Sequence, residues 1–138
     1  MIVISACLLG ENCKYDGKNN LKEKLLELDN VVSVCPEVLG GLSIPRDSCE
    51  IISDRVITVN NVDVTNEFYL GAQKALEICI ENGVDFAILK ANSPSCGCNG
   101  IYDGTFTHTI IEGDGIFTRM LKENNIECVD EKTYLKEE

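Results

Sequence analysis

Four short apolar runs rich in β-branched residues, IVIS (2–5), VVSV (31–34), VDFAILK (84–90) and IECV (126–129), recur along the chain with helical or loop sequence between them. Such runs suit strands buried in a core. Between them, NLKEKLLEL (20–28) carries apolar residues at 21, 25, 26 and 28, a helical spacing. Thr65 caps a long helix, NEFYLGAQKALEICIEN, which Gly83 closes, and residues 115–124 predict another helix. RVITVNNVDV (55–64) reads as two short strands turning at Asn60-Asn61, and GIYDGTFTHTII as a hairpin or irregular strand. Strands separated by helices imply an α/β fold: a Rossmann-like three-layer sandwich with a mostly parallel sheet. No repeat or linker interrupts the pattern, so residues 1–138 are expected to form one domain.

Three cysteines fall at equivalent places in this pattern. Cys7, Cys35 and Cys96 each lie just beyond the carboxyl end of a predicted strand. In open α/β sheets that rim is where ligands bind. Parallel, adjacent strands would bring the three cysteine loops to one edge.

Eight cysteines in 138 residues would suggest a disulfide framework in a secreted chain. The start, MIVISACLLG, has no basic leader or cleavage site and reads as a first strand. A cytoplasmic setting is therefore expected, where thiols stay reduced and clustered cysteines favour metal binding or chemistry. No run approaches the roughly 20 apolar residues of a membrane span. The net charge of −11 argues against a long nucleic acid as partner. Lys14, Lys18, Arg46 and Lys90 nevertheless lie in or beside the cysteine loops and could hold a small anionic ligand.

SACLLGENCKYDG (5–17) contributes Cys7, Cys13 and the carboxylate of Asp16. CPEVLGGLSIPRDSCE (35–50) places Cys35 and Glu37 two residues apart, with Arg46 able to clamp a carboxylate or phosphate and Cys49 as a further thiol. LKANSPSCGCNG (89–100) supplies the hydroxyls of Ser93 and Ser95 beside Cys96, with Cys98 the spare thiol of a C-x-C pair. Three thiolates with an open fourth position suit catalytic zinc or an iron–sulfur cluster. Paired C-x2-C knuckles and a C-x-x-C redox motif are both absent, and the one histidine, His108, falls in the alternating run TFTHTII. Iron–sulfur ligation survives this comparison best. A zinc–thiolate hydrolase and a non-catalytic iron–sulfur or metal-binding module, serving as sulfur carrier or sensor, remain open.

Taken together, SACLLG…YDG, CPE…GG…PR and SPSCG…IYDGTF resemble the DUF523 family, which includes iron–sulfur-dependent thiouracil desulfidases. The resemblance runs from Ser5 to about Leu121. It implies a [4Fe–4S] cluster held by Cys7, Cys35 and Cys96, with the fourth iron free to take a thiocarbonyl sulfur. The implied reaction is non-redox hydrolysis of a small 4-thiouracil-like base, nucleoside or nucleotide, releasing sulfide. Within that reading Glu37 is the base that activates water. Ser93 and Ser95 bond the ring edge or the developing oxygen, and Asp16 is a second carboxylate candidate. Lys14, Arg46 and Lys90 are the candidate substrate-binding cations. Lys14 stands where arginine is common before YDG, and Asp47-Ser48-Cys49 stands where prolines are frequent, departures that bear on the substrate rather than on the cluster.

Overall fold

A computed structural model of the chain describes residues 1–136. In chain order its elements are β1 (Ile2–Ser5), a 3₁₀ turn (Ala6–Leu9), a second 3₁₀ turn (Glu23–Glu27), β2 (Val31–Val34), α1 (Pro36–Leu39), β3 (Cys49–Ile52) and β4 (Arg55–Thr58). There follow α2 (Thr65–Glu81), β5 (Phe86–Leu89), β6 (Ile101–Tyr102), β7 (Ile110–Ile111), α3 (Ile116–Glu123), β8 (Glu127–Asp130) and α4 (Glu131–Leu135).

The central sheet has the order β2-β1-β5-β8, and all three of its pairings are parallel. Ile2 stands opposite both Val31 and Phe86, and Phe86 opposite Glu127, so successive rows of side chains alternate between two faces. Val3, Val34, Ala87 and Leu89 join the larger core with α2 and α3. Ile4 and Ile88 point the other way and pack with Leu8, Leu25 and Cys7. One outer layer is therefore helical, whereas the other consists mainly of the two 3₁₀ turns and α4. The strand order reverses between β1 and β5, which places the crevice expected at such a switch point beside the loops that follow those strands.

α1 and α2 meet at two glycines. A Cβ on Gly71 would lie 1.7 Å from the Pro36 carbonyl oxygen, and one on Gly40 would lie 2.0 Å from the Glu67 carbonyl oxygen. Only glycine permits so close a backbone approach. The crossing holds the segment bearing Cys35 and Glu37 against the long helix.

The structure departs from the sequence pattern in four places. The stretch 20–28 forms only a 3₁₀ turn, because Leu25 alone docks fully while Leu21 and Leu26 stay exposed, leaving no apolar stripe to support a longer helix. The Asn60-Asn61 turn forms, with Asn61 at φ 64°. Beyond it the return segment makes a single bridge, Ile57 to Asp63, and β4 pairs instead with β3, burying Ile51 and Val56. Thr65 is the first helical residue of α2, and its hydroxyl accepts the Val56 N–H at 2.9 Å, while the Asp63 carboxylate takes the Thr65 N–H at 2.9 Å. Finally, α1 and α4 are short helices beyond the predicted set. Pro36 at the first position of α1 and Asp130 accepting the Thr133 N–H at 2.6 Å are their start signals. Among the described residues no helix is long and apolar enough to cross a membrane.

Candidate active site at the carboxyl edge of the sheet

The loops after β1, β2 and β5 gather around a cavity of about 570 Å³. The end of β1 is tied to the end of β5 by Ser5 Oγ, which accepts the Lys90 N–H at 3.0 Å. The loop after β5 is seated on α3. Ile116 N–H donates to Pro94 O at 2.9 Å and Phe117 N–H to Ser95 O at 2.9 Å, so this loop satisfies the first donors of that helix. Gly115 permits the contact, since a Cβ there would lie 2.5 Å from the Ser95 carbonyl oxygen. Ser93 Oγ in turn accepts the N–H groups of Ser95 and Cys96, both at 3.1 Å, and fixes the turn that presents Cys96.

Cys7, Cys13 and Cys96 line the cavity. Cys35 is not part of the lining; its Sγ approaches the Cys13 carbonyl oxygen at 3.8 Å. Burial pushes the Cys7 thiol up to about 11, the Asn20 amide works against this, and the charge of Cys35 adds to it. Cys96 is likewise raised by burial, with the charges of Cys7 and Cys35 contributing. Cys35 and Cys13 share a hydrogen bond that favours the Cys35 thiolate, lowering Cys35 to about 7 and raising Cys13. The thiols at 7, 35 and 96 are thus within electrostatic reach of one another.

Among the described residues no three His, Cys, Asp or Glu side chains are placed to close on one metal ion. A single zinc needs its sulfur ligands about 2.3 Å from one centre. An iron–sulfur cube instead spreads its cysteine ligands over several irons. Cys7, Cys35 and Cys96, which follow three neighbouring strands and influence one another's charge, suit the cube better than a single ion.

Glu37 leads from α1 toward the same space. Arg46 reaches its Oε1 with Nε at 3.2 Å and Nη2 at 3.1 Å, and Ser95 Oγ donates to its Oε2 at 2.9 Å. Ser93 Oγ lies 3.0 Å from Ser95 Oγ, completing a chain of hydroxyls that ends on the carboxylate. Arg46 also donates to the Cys13 and Ser43 carbonyls at 2.9 and 3.1 Å, which binds the first two cysteine loops together. Lys90 contacts the Ala91 carbonyl at 3.0 Å and the Glu131 carboxylate at 3.5 Å. Lys14 Nζ donates to Asn20 Oδ1 at 3.2 Å and lies 3.8 Å from Asp16. Asp16 does not line the cavity; its Oδ1 accepts the Lys18 N–H at 3.0 Å within the loop.

Several residues in and around the cavity escape a reading of the sequence. Glu50 and Glu131 are buried carboxylates whose partners lie 54 and 40 residues away. Tyr102 and Phe106 belong to the IYDGTF stretch, which reads as a hairpin. A readable signal existed for Glu50, a charge inside the apolar run CEII. Asn20 Nδ2 approaches Cys7 Sγ at 3.9 Å and carries no local signature.

Comparison with known proteins agrees with this architecture. The profile of the 2-thiouracil desulfurase family matches residues 2–133. Uncharacterized protein YbbK of Bacillus subtilis (strain 168) is 38% identical over 144 aligned positions, covering 95% of this chain and 95% of that protein. A solved structure of the [4Fe-4S]-dependent thiouracil desulfidase TudS superposes with a TM-score of 0.92 at 38% identity, covering 98% of this chain and 93% of that one.

Proposed function

The chain belongs to the 2-thiouracil desulfurase family, and from that premise we propose that it is a [4Fe–4S]-dependent thiouracil desulfidase acting by non-redox hydrolysis. The observation that carries the reading is the Glu37–Ser95–Ser93 chain at the edge of a cavity that Cys7 and Cys96 line, with Cys35 at the end of the neighbouring strand β2. Cys7, Cys35 and Cys96 hold the cluster in this proposal. When bound, such a cluster supplies a soft Lewis acid suited to a thiocarbonyl sulfur.

The remaining chemistry falls to the protein's own side chains. Water attacks the ring carbon, its oxygen replaces the sulfur, and the sulfur leaves as hydrogen sulfide with no electron transferred. Glu37 takes the proton of that water through Ser95, whose Oγ already donates to Oε2. Arg46 fixes the carboxylate by bonding Oε1. Ser93 steadies Ser95 and the Cys96 turn, and Lys90 places a positive charge beside Cys7. Lys14 closes the rim on the side of the first loop, and Asp16 shapes that loop rather than handling protons. The substrate is a small thiolated pyrimidine such as 4-thiouracil, handled in the cytoplasm.

Anaerobic reconstitution with iron and sulfide tests the reading. The expected product is a brown protein that releases sulfide from 4-thiouracil and yields uracil. Cys35→Ala is expected to lose both cluster and activity. A cluster-bearing protein inert toward every thiopyrimidine would instead be a binding module.

A further inference from the structure

Asn20 is bonded to Cys7 twice. Its backbone N–H donates to the Cys7 carbonyl at 2.9 Å, and its side-chain Nδ2 donates to Cys7 Sγ at 3.9 Å. The segment is pinned there by Lys22, whose N–H donates to Leu8 O at 2.9 Å. The other end of the amide is set by Lys14, whose Nζ donates to Oδ1 at 3.2 Å, while the Asp16 carboxylate stands farther from Lys14, at 3.8 Å. The reverse setting would turn the amide N–H groups toward an ammonium and its oxygen toward a sulfur that is a thiolate whenever it holds iron. Cys7, Lys14 and Asn20 all line the cavity. Of the other two lysine or arginine side chains there, Arg46 and Lys90 bond carboxylates and backbone carbonyls. Lys14 instead reaches an amide whose far end touches a proposed cluster ligand.

Resting on the function proposed above, we propose that Asn20 is a positioning residue for the cluster: its amide, aimed and polarised by Lys14, donates to Cys7 Sγ and draws negative charge off that ligand. Hydrogen bonds to the sulfurs of an iron–sulfur cluster help to set its reduction potential. A donor stabilises the reduced state most, because that state carries the greater negative charge, and so raises the potential. The same withdrawal of charge from a thiolate leaves the bound iron a stronger Lewis acid, which suits polarisation of a thiocarbonyl. The cation on Oδ1 strengthens the donor at Nδ2, since hydrogen bonds in a chain polarise one another. Cys7 and Cys35 lie close enough for their charges to oppose one another, and a donor on Cys7 relieves part of that repulsion. Lys14 therefore acts on the cluster through Asn20 rather than as a contact for the substrate.

The test is the midpoint potential of the cluster in anaerobically reconstituted full-length protein, measured by mediator titration and followed by electron paramagnetic resonance. Asn20→Leu keeps the bulk and the backbone bond to Cys7 and removes the donor. Its potential is expected to fall, changing the oxidised-to-reduced ratio at a fixed potential about tenfold, or roughly 59 mV for a one-electron couple. Asn20→Asp, which sets a carboxylate oxygen against the sulfur, should fall further. Lys14→Met should move the potential the same way by less, and Lys14→Arg, which still donates to Oδ1, should keep the wild-type value. The kcat for sulfide release from 4-thiouracil should follow the potential, dropping on the order of tenfold in Asn20→Leu. The potential is read on the loaded fraction, so a variant that holds less iron still answers the question. Wild-type potentials in both Asn20 variants overturn the assignment, and an unshifted Lys14→Met overturns the part given to Lys14. Wild type that takes up no cluster overturns the function proposed above and this role with it. Wild type that carries the cluster but releases no sulfide overturns the function alone, and the potentials still decide the role of Asn20.

Discussion

Ser95 Oγ donates to Glu37 Oε2 at 2.9 Å across 58 residues of chain, so the β2 and β5 loops meet through the two groups proposed above to move a proton. Removing the hydroxyl leaves Cys96 in its turn, because the Cys96 N–H is held by Ser93. Ser95→Ala is therefore expected to keep full iron and sulfide content while kcat for sulfide release falls on the order of 10²-fold. Glu37→Gln should lose a similar factor. The double variant should be little worse than the poorer single one, since the two act as a unit.

Arg46 supports this pair from the other side, with bonds to Glu37, Cys13 and Ser43. Its side chain is 7% exposed and that of Glu37 14%, so the ion pair is shielded from water. A lysine offers a point charge in place of the planar fork and cannot reproduce three directions at once. Arg46→Met, which leaves Glu37 unpaired, is expected to cost about 3 kcal/mol of stability. Arg46→Lys should cost less yet still lower kcat. Urea unfolding of both variants beside their iron content separates a loss of fold from a loss of chemistry.

The central sheet was legible because its strands are continuous apolar runs, a pattern that survives without tertiary information. The expectation that the loops bearing Cys7, Cys35 and Cys96 share an edge rested on adjacent parallel strands, and β2, β1 and β5 are adjacent and parallel. Long-range polar contacts were not legible. Nothing in CEII says that Glu50 holds Gly104 and Phe106, and nothing near Glu131 says that it meets Lys90. The 20–28 helix failed for a related reason. Spacing marks which residues could share a face, but whether a partner surface exists to bury that face is decided elsewhere in the chain.

The entrance to α2 should carry an acid-sensitive contribution. Asp63 is held down at about 2, chiefly by the Thr65 hydroxyl, with Arg55 and the Thr65 N–H adding to it. A carboxyl lowered in the folded state stabilises fully above its unfolded value near 4 and loses that effect as pH falls toward 2. The urea midpoint of Asp63→Asn should lie below that of wild type at pH 5 to 7, and the gap should close between pH 4 and 2. A gap constant down to pH 2 would show that the charge contributes nothing.

The closest backbone crossing in the fold ties stability to the site. A Cβ at Gly71 would fall 1.7 Å from Pro36 O, inside any tolerable contact, so Gly71→Ala must push α1 away from α2. Because Pro36 lies between Cys35 and Glu37, that displacement moves a proposed cluster ligand and the proposed base together. Overpacking of this kind is expected to cost about 3 kcal/mol, and iron retention should fall with it. Gly83→Ala is the control. Gly83 has φ +66° with nothing near its missing Cβ, so alanine there pays only the left-handed backbone cost of about 1 kcal/mol. Its iron content should match wild type. If Gly71→Ala instead binds iron normally and loses no more stability than Gly83→Ala, the α1–α2 crossing does not position the site.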